Sequence, residues 1–408
     1  MPLQDRSLLI CDLTQSYAPR GGGGISTYLR EKRDYVLKQT PHRLLQIVPG
    51  PEDRIVEDGR SIWVEIGAEQ VRGSPNYRFI MRTSAVRRVL ENFRPDLIES
   101  LCPWVLPWTA INYRRANPAT ALVAGYHTDF PNAHVHRVGV ELLGSFVAAG
   151  LRRLSVGYAG LTYREFDRVY TMGDEMRDLL AGYGITHVDT LELGADAQLF
   201  SPTRRDPTLR RKLGIKNPGP LLVYAGRIDN EKSANVLVSM LRNLPAQLGA
   251  TLVMYGDGKL REPLLAENAD LPVLMPGFVN DRETLAVALA SSDIYVSAMA
   301  NETFGISVVE AQACGLPVVG VHSGAMPARV PPGTGLLGPV GDPVAMAENV
   351  QRVWSGDHQA MGSRGRNLVI ERFGWDRTFD RLINQIYPKA FDRAEQRNAA
   401  GSWWRRAS

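Results

Sequence analysis

The chain has 408 residues, of which 44% are hydrophobic and 22% charged, a composition typical of globular proteins. This length predicts two domains with separate cores, and a formal net charge of +4 is too small to indicate nucleic-acid binding. The three cysteines are far apart and odd in number, which argues against disulfides and a metal site. Because no apolar run follows a basic start and no stretch of about 18 apolar residues occurs, we expect a cytoplasmic protein without signal peptide or transmembrane helix.

Short apolar runs alternate with amphipathic stretches along the chain. The runs that predict strands are residues 7–13, 42–48, 96–100, 121–127 and 168–172 in the first half, and 220–226, 251–258, 273–279, 293–298 and 317–321 in the second. Strands that alternate with helices predict parallel sheets with right-handed crossovers. Two such sets predict an α/β fold with two doubly wound, Rossmann-like domains.

The domain boundary is predicted where Pro, Asp and Arg interrupt the periodicity, in residues 196–220. The expected domains are 1–198 and 199–374. An amphipathic helix at about 375–390 is expected to return to the first domain. The tail 391–408 has no apolar periodicity and is expected to be loosely held.

A run of four glycines, residues 21–24, follows the first predicted strand, and a helical pattern begins near Ile25. Glycines permit backbone conformations and a close approach that side chains would forbid. A helix N-terminus presents free N–H groups and its positive dipole end to an anion. The run is therefore a candidate anion-binding loop, and a flexible turn is the alternative interpretation.

Two cations, Arg227 and Lys232, lie in the turn after the predicted strand 220–226. Cations at the carboxyl end of a parallel strand are well placed to bind phosphate oxygens. Ordinary surface charge is the alternative interpretation.

Two carboxylates, Glu302 and Glu310, flank the start of a predicted helix in the sequence Glu-Thr-Phe-Gly-Ile-Ser-Val-Val-Glu. A helix that begins near Gly305 would point the amides of Gly305 and Ile306 at a phosphate. Burying an unpaired carboxylate costs several kcal/mol, so both side chains need polar partners. Those partners are either ligand hydroxyls or, in the alternative, a helix cap and a buried cation.

These motifs together resemble those of the retaining nucleotide-sugar glycosyltransferases of family four, which have the GT-B fold. The matching stretches are the glycine run, residues 226–233, 255–258 and 276–279, and the sequence 302–320 with its E-x(7)-E spacing. The match is dense from Leu221 to Asp342 and looser before it. The resemblance implies two Rossmann-like domains that face a central cleft, with the acceptor bound by the first and the nucleotide sugar by the second.

In the second domain, the resemblance assigns a role to each matched position. Arg227 and Lys232 would bind the donor diphosphate and stabilise it as it leaves. Glu302 would face the donor sugar, and Glu310 would take the ribose hydroxyls. The other donor-binding positions would border the sugar, the diphosphate or the base: Phe278, Val279, Phe304, Gly305 and Ile306.

In the first domain, Gly23 and Gly24 would let the glycine loop reach the diphosphate. His127 follows a predicted strand and would act in catalysis near the sugar, although a lone histidine is more often structural. One departure from the family pattern follows the signature, where Ala325 and Ala328 stand in place of a Gly and a Glu. This departure removes one carboxylate from the expected donor contacts.

The resemblance implies a metal-independent hexosyltransferase that retains the anomeric configuration and needs no cofactor. The donor would be GDP-mannose or a UDP-hexose. A membrane-lipid acceptor is suggested by the basic, apolar segments 74–95 and 142–161, and by thirteen Arg against seven acidic residues from Arg60 to Arg164. A protein acting on such an acceptor would be cytoplasmic or peripheral on the inner face of an anionic membrane.

Several alternatives stay open at this point. The acceptor could be a polysaccharide precursor or a soluble molecule, and the same fold could serve an inactive nucleotide-binding scaffold or a phosphorylase. The intact cations and carboxylates argue against a scaffold. No lysine-bound pyridoxal site is recognisable, which argues against a phosphorylase.

Overall fold

A computed structural model describes residues 6–17, 23–71, 74–136, 139–140 and 144–406. They fold as two compact units. The first extends to Glu192 and includes the chain from Thr378 onward, and the second is Leu193–Arg377. The sequence placed these junctions a few residues away, at 198–199 and 374–375.

The first unit is built on one large sheet. Its described strands are β1 (Leu9–Leu13), β2 (Ser16–Tyr17), β3 (Arg43–Gly50), β4 (Arg54–Asp58), β5 (Ser61–Gly67), β6 (Gln70–Val71), β7 (Ser74–Phe79), β8 (Leu97–Ser100), β9 (Ala121–Tyr126), β10 (Arg168–Thr171) and β11 (Val188–Thr190). The large sheet has the order β11-β10-β9-β8-β1-β3-β5-β4, and β2, β7 and β6 form a small separate sheet. Neighbours in the large sheet are parallel except β4 and β5, which are antiparallel.

Helices alternate with these strands. They are α1 (Gly24–Gln39), α2 (Thr83–Phe93), α3 (Leu106–Ala116), α4 (Ser145–Tyr163) and α5 (Asp174–Gly182), with a π-helical turn at Pro131–His136. Strands β1 and β9 are buried along their whole length, as is usual for parallel strands covered on both faces. This explains why their sequences are continuous apolar runs rather than alternating ones.

The second unit contains a six-stranded sheet in which every neighbouring pair is parallel. Its strands are β12 (Leu221–Ala225), β13 (Thr251–Tyr255), β14 (Val273–Gly277), β15 (Ile294–Val296), β16 (Val318–Val321) and β17 (Gly335–Gly338). Its helices are α6 (Leu209–Lys212), α7 (Ala234–Arg242), α8 (Arg261–Glu267), α9 (Arg282–Ala290), α10 (Ile306–Ala313), α11 (Met326–Arg329), α12 (Pro343–Ser355) and α13 (His358–Arg372).

Both large sheets are doubly wound. The second has the order β14-β13-β12-β15-β16-β17, so the direction of winding reverses between β12 and β15. In the first sheet the same reversal lies between β1 and β8. The prediction of two Rossmann-like α/β domains with parallel sheets is confirmed.

The C-terminal segment consists of α14 (Trp375–Arg381), a π-helical turn (Leu382–Ile386) and α15 (Tyr387–Arg406). Helix α15 runs through the tail that was expected to be loosely held. Ala390 and Ala394 are buried, and the Arg397 guanidinium donates to the Asp167 carboxylate. No apolar periodicity indicates this packing, because α15 packs through small side chains and polar contacts instead of large apolar residues.

Candidate active site

In the second unit, the strand order reverses between β12 and β15, which are parallel neighbours and end at the same edge of the sheet. Ligands of doubly wound sheets bind at the carboxyl ends of the strands that flank such a reversal. The chain leaves β12 through residues 226–233 and leaves β15 through residues 297–305. These two loops carry Arg227, Lys232 and Glu302. The topology therefore brings three of the residues predicted from the sequence to one edge.

Lys232 and Glu302 form an ion pair across these two loops. Lys232 Nζ lies 3.2 Å from Glu302 Oε2 and donates to Met299 Sδ at 2.8 Å. The Lys232 side chain is 23% exposed and that of Glu302 12% exposed, so a ligand could reach both. The Lys232 backbone N–H donates to Asp229 Oδ1 at 3.0 Å, which fixes the loop around the cation.

Arg227 lies on the loop after β12 but pairs with carboxylates of its own loop. Its guanidinium lies 2.7 Å from Asp229 Oδ2 and 2.9 Å from Glu231 Oε2. The side chain is about half exposed, so its ion pairs are solvent-screened and exchangeable. Within the described ranges, no three His, Cys, Asp or Glu side chains are grouped so as to hold a metal ion.

Gly305 is the N-cap residue of helix α10 and has the left-handed conformation, with φ of +84°. A Cβ there would lie 3.3 Å from Glu302 Cγ, so glycine suits both the turn and the close packing. The first amides of α10, including that of Ile306, have no acceptor within the helix and suit an anion. Ala325 donates its backbone N–H to Glu302 O at 2.8 Å, a contact that needs no particular side chain. Ala328 lies in α11 and brings no carboxylate to the site.

Glu310 lies inside α10 and is buried, with 2% of its surface exposed. Its Oε1 accepts a hydrogen bond from Arg282 at 2.6 Å, and the Arg282 guanidinium lies 4.7 Å from the ring centroid of Phe200. The structure thus gives Glu310 a cationic partner, Arg282. The sequence reasoning missed Arg282; its place at the start of α9, directly after the capping Asp281, was the available signal.

The Phe304 side chain is directed into the core of the second unit. It is 3% exposed, lies under the buried Arg329 guanidinium at 4.1 Å from the ring centroid and meets the Phe373 ring edge-on at 5.9 Å. Arg329 Nε also donates to Phe304 O at 3.0 Å. Only the backbone of Phe304 is therefore placed to border a ligand. Phe278 and Val279 follow β14 at the outer edge of the sheet, with Phe278 43% exposed.

In the first unit, His127 directly follows β9. Its Nε2 lies 3.3 Å from the Tyr170 hydroxyl, and its ring meets the rings of Tyr28 and Tyr170 edge-on. A Cβ at Gly125 would lie 2.5 Å from His127 Nε2 and 2.6 Å from the Tyr170 hydroxyl, so only glycine leaves room for this arrangement. Burial lowers the pKa of His127 to about 4, which keeps the imidazole neutral near pH 7.

Gly23 and Gly24 lie at the N-terminus of α1, where Gly24 is the first helical residue and both are exposed. Gly21 and Gly22 lie outside the described residues. Helix α1 carries Tyr28 and Lys32, both fully buried, toward the sheet of the first unit.

A buried charged network, which the sequence reasoning missed, lies in the first unit. Asp12 and Glu99 are register partners on β1 and β8, and Lys32 Nζ pairs with Asp12 Oδ1 and lies 2.9 Å from Glu99 Oε2. Gln46 Nε2 donates to Asp12 Oδ2 at 3.0 Å. None of these side chains is more than 1% exposed. Polar residues inside otherwise apolar strand runs were the available signal.

The pKa values of this network follow from burial and from Lys32. Burial raises the pKa of Asp12 to about 6, against the opposing effect of Lys32. For Glu99, burial also opposes the ionised form. Lys32 and the hydroxyls of Tyr170, Tyr28 and Tyr387 outweigh that effect and lower its pKa. Glu99 is therefore the carboxylate that stays ionised most firmly.

Two family models match the chain in succession. The Glycosyltransferase Family 4 model matches residues 22–199, and the Glycosyl transferases group 1 model matches residues 219–355. The boundary between the two matches falls in the segment that follows the first unit. Together they cover most of the chain, including both loops at the reversal in the second sheet.

Two curated relatives and one solved structure align with most of the chain. A GDP-mannose-dependent alpha-(1-6)-phosphatidylinositol dimannoside mannosyltransferase of Mycobacterium tuberculosis (strain ATCC 25177 / H37Ra) is 29% identical over 320 residues, which is 76% of this chain and 78% of the relative. A GDP-mannose-dependent alpha-mannosyltransferase of Mycobacterium tuberculosis (strain CDC 1551 / Oshkosh) is 28% identical over 385 residues, 91% of this chain and 94% of the relative. The structure of sucrose-phosphate synthase from Thermosynechococcus elongatus superimposes with a TM-score of 0.76 at 20% identity, covering 95% of this chain and 100% of that one.

The two doubly wound units and the structural likeness show the GT-B fold, and the two family models show that the chain is a glycosyltransferase. The chain belongs to glycosyltransferase family 4 and is a hexosyltransferase. The family and the fold inferred from the motifs are thereby confirmed.

Proposed function

We propose that this enzyme transfers a mannosyl group from GDP-mannose to a hydroxyl of a membrane lipid, with retention of configuration and without a metal ion. The observation that carries the donor half of this proposal is the Lys232–Glu302 pair at the reversal of the second sheet. The names of both relatives support GDP-mannose as the donor, and one of them names a phosphatidylinositol mannoside. A UDP-hexose is the alternative donor.

The chemical task is to cleave the bond between the sugar C1 and the diphosphate oxygen. In the proposed reaction, the acceptor oxygen forms the new bond to C1, and the departing diphosphate takes the electron pair and accepts the acceptor's proton. The growing negative charge needs cations and oriented N–H groups. Lys232 supplies a cation when a phosphate oxygen replaces Glu302 as its partner, and the free amides of α10 supply dipoles.

Glu302 gains a role from the same exchange. Once Lys232 turns to phosphate, the Glu302 carboxylate can accept hydrogen bonds from sugar hydroxyls. Arg227 exchanges Asp229 and Glu231 for the diphosphate in the same way, at a small cost because the Arg227 side chain itself is half exposed. His127 is the proposed partner of sugar hydroxyls in the first unit, in its neutral form.

Helix α4 supports a lipid acceptor. Its exposed apolar side chains include Phe146, Leu154 and Leu161, which are 92%, 73% and 65% exposed and repeat at a spacing that places them on one helical face. The helix carries Arg152 and Arg153 and contains no acidic residue. Such a helix suits binding in the interface of an anionic bilayer. Among the residues that the structure describes, no helix is long and apolar enough to cross a membrane.

A donor-binding experiment tests the nucleotide. Thermal shifts would be measured with GDP, UDP, GDP-mannose and UDP-glucose, and a ligand at 100 times its Kd should stabilise by about 2.7 kcal/mol. We expect GDP and GDP-mannose to stabilise the protein, and Lys232→Ala to weaken this effect. The matched control is Lys216→Ala, an exposed lysine before β12, which should bind normally. Stabilisation by uridine nucleotides alone would select the alternative donor, and none by any nucleotide would contradict the donor assignment.

A flotation experiment tests the membrane. The protein would be mixed with liposomes of neutral or anionic lipid and centrifuged in a density gradient. We expect flotation with anionic lipid, and its loss in Phe146→Ser/Leu154→Ser. The control pair Val340→Ser/Val344→Ser alters two half-exposed apolar residues of the second unit and should float normally. A wild-type protein that stays at the bottom with anionic liposomes would direct the search to soluble acceptors.

A further inference from the structure

The carboxylate of Glu99 accepts four hydrogen bonds in the core of the first unit. Oε1 accepts from the hydroxyls of Tyr28 at 2.6 Å and Tyr170 at 2.7 Å. Oε2 accepts from Lys32 Nζ at 2.9 Å and from the Tyr387 hydroxyl. An ionised carboxylate offers about four acceptor positions, so these four donors fill the group.

Each tyrosine hydroxyl has a single hydrogen to donate. The Tyr170 hydroxyl also lies 3.1 Å from that of Tyr28, but a bond to a buried carboxylate is shorter and stronger than one between neutral groups. The Tyr170 hydrogen therefore points to Glu99, and the Tyr170 oxygen can only accept. The atom of His127 that faces this oxygen at 3.3 Å is Nε2, so Nε2 must carry a hydrogen.

We propose that Glu99, acting through Tyr170, is a positioning residue that holds His127 in the tautomer protonated at Nε2 and leaves Nδ1 as a hydrogen-bond acceptor for a ligand hydroxyl. Neither Tyr170 nor Glu99 needs to touch the ligand. The tautomer follows from the contacts alone, and only the identity of the ligand as a sugar rests on the proposed function.

Three further observations agree with this assignment. Among the described residues, the only hydrogen-bond contact of the His127 ring is the one at Nε2, so Nδ1 is left for a ligand. Burial lowers the pKa of His127, and a neutral imidazole carries one hydrogen, which makes the tautomer a definite choice. Tyr28 meets the imidazole edge-on at 5.5 Å between ring centroids. This contact restrains the His127 ring, for which the missing side chain of Gly125 leaves room.

NMR of the free enzyme tests the tautomer directly. The protein would be labelled with ¹⁵N-histidine, and long-range proton–nitrogen correlations would be recorded at pH 7, with His127→Gln to assign the signals. We expect wild-type His127 to show a single tautomer protonated at Nε2. A wild-type ring protonated at Nδ1 would overturn the proposal.

Tyr170→Phe removes the accepting oxygen and keeps the ring. We expect its His127 signals to shift toward a mixture of tautomers. The matched control is Tyr163→Phe, another buried tyrosine of the first unit, which should leave the His127 spectrum unchanged. An unaltered tautomer in a folded Tyr170→Phe protein would overturn the proposal. If Tyr170→Phe does not fold, Glu99→Gln serves as the second variant. Its amide oxygen must face the Lys32 ammonium, so its NH₂ donor faces the hydroxyls of Tyr28 and Tyr170 and frees the Tyr170 hydrogen. We expect a mixture of His127 tautomers in this variant, and an unaltered tautomer would overturn the proposal.

A double-mutant cycle separates positioning from general damage. If donor turnover is found, Tyr170→Phe should lower kcat/KM about tenfold, the effect of one hydrogen bond to a ligand. The same change in a His127→Ala background should have no further effect. An equal loss in both backgrounds would mean a merely structural role for Tyr170. If no donor is turned over, the proposed function fails, but the NMR result still decides the tautomer.

Discussion

Lys32 in the first unit and Lys232 in the second occupy related places. Each follows the first strand of its sheet in the chain, Lys32 after β1 and Lys232 after β12. Each pairs with a glutamate from the strand across the winding reversal or from the loop after it: Glu99 on β8 and Glu302 after β15. The surroundings differ. The Lys32 pair is 0% exposed on both sides, whereas Lys232 and Glu302 are 23% and 12% exposed at the ends of their strands.

This difference shows how one architecture uses charge in two ways. A pair at the mouth of the sheet can exchange one partner for a ligand, because water and ions already compete for it. A pair inside the sheet cannot be broken without leaving a buried charge. We therefore expect the partly exposed pair to bind ligand and the buried pair to hold Tyr28 and Tyr170, the tyrosines that contact His127.

The largest expected effect is on stability, at Lys32. Lys32→Met would leave Asp12 and Glu99 without their cation, and breaking a buried ion pair in this way costs about 3–5 kcal/mol. Urea unfolding, with hydrogen exchange followed in β1 and β8, would measure the loss. Lys38→Met is the matched control on the same helix, since Lys38 is 70% exposed and its loss should cost less than about 0.5 kcal/mol. Equal stability of the two variants would contradict a stabilising role for the buried Lys32 pair.

At Lys232 we expect a small loss of stability and a large loss of activity. Lys232→Ala should cost about 1–2 kcal/mol of stability, less than Lys32→Met, because water reaches part of the Lys232–Glu302 pair. Removal of a group that stabilises a leaving diphosphate should lower kcat about 10²–10³-fold. Initial rates with the donor found by thermal shift, together with urea unfolding, would measure both quantities. A variant that is strongly destabilised but fully active per folded molecule would mean that Lys232 has a structural role like that of Lys32.

A smaller difference between the two units is expected in their stability at acidic pH. Burial lowers the pKa of His127 and of His187, both in the first unit, to about 4. Because the unfolded chain binds these protons near pH 6.5, their contribution to stability is fully present above that pH and is lost as the pH falls toward 4. Asp12 opposes them, since its raised pKa of about 6 favours the fold as it gains a proton below pH 6.

The net loss in the first unit should be on the order of 2–3 kcal/mol between pH 7 and pH 4.5. Hydrogen exchange at several pH values, corrected for intrinsic rates, would show it as weaker protection in β9 and β10 than in β12 and β13. His187→Asn should flatten this dependence. Earlier loss of protection in the second unit would contradict the expectation.

The sequence predicted those features of the structure that depend on neighbouring residues in the chain. Continuous apolar runs located the strands, and the glutamate spacing in 302–310 located the loop that meets Lys232. The sequence pattern did not show that the Phe304 side chain lies in the core beneath the Arg329 guanidinium. Nor did it show that Glu310 pairs with Arg282. Those contacts join residues far apart in the chain, and nothing in the local spacing encodes them.

The buried network was missed for a related reason. Asp12, Gln46 and Glu99 each sit singly in an apolar run, and only the strand register places them side by side. The packing of α15 was missed because its buried positions, such as Ala390 and Ala394, are small. Sequence patterns of large apolar residues cannot distinguish such a helix from a solvated one.

The contact between Tyr387 and Glu99 joins residues that are synthesised far apart in time, 288 positions from each other. During synthesis, β1, α1 and β8 leave the ribosome before any of the second unit, and Tyr387 follows only after the second unit is complete. Until Tyr387 has been synthesised, Glu99 lacks one of its four hydrogen-bond donors. A chain that stops before residue 387 therefore contains every residue of the second unit but lacks a hydrogen-bond donor that the first unit uses.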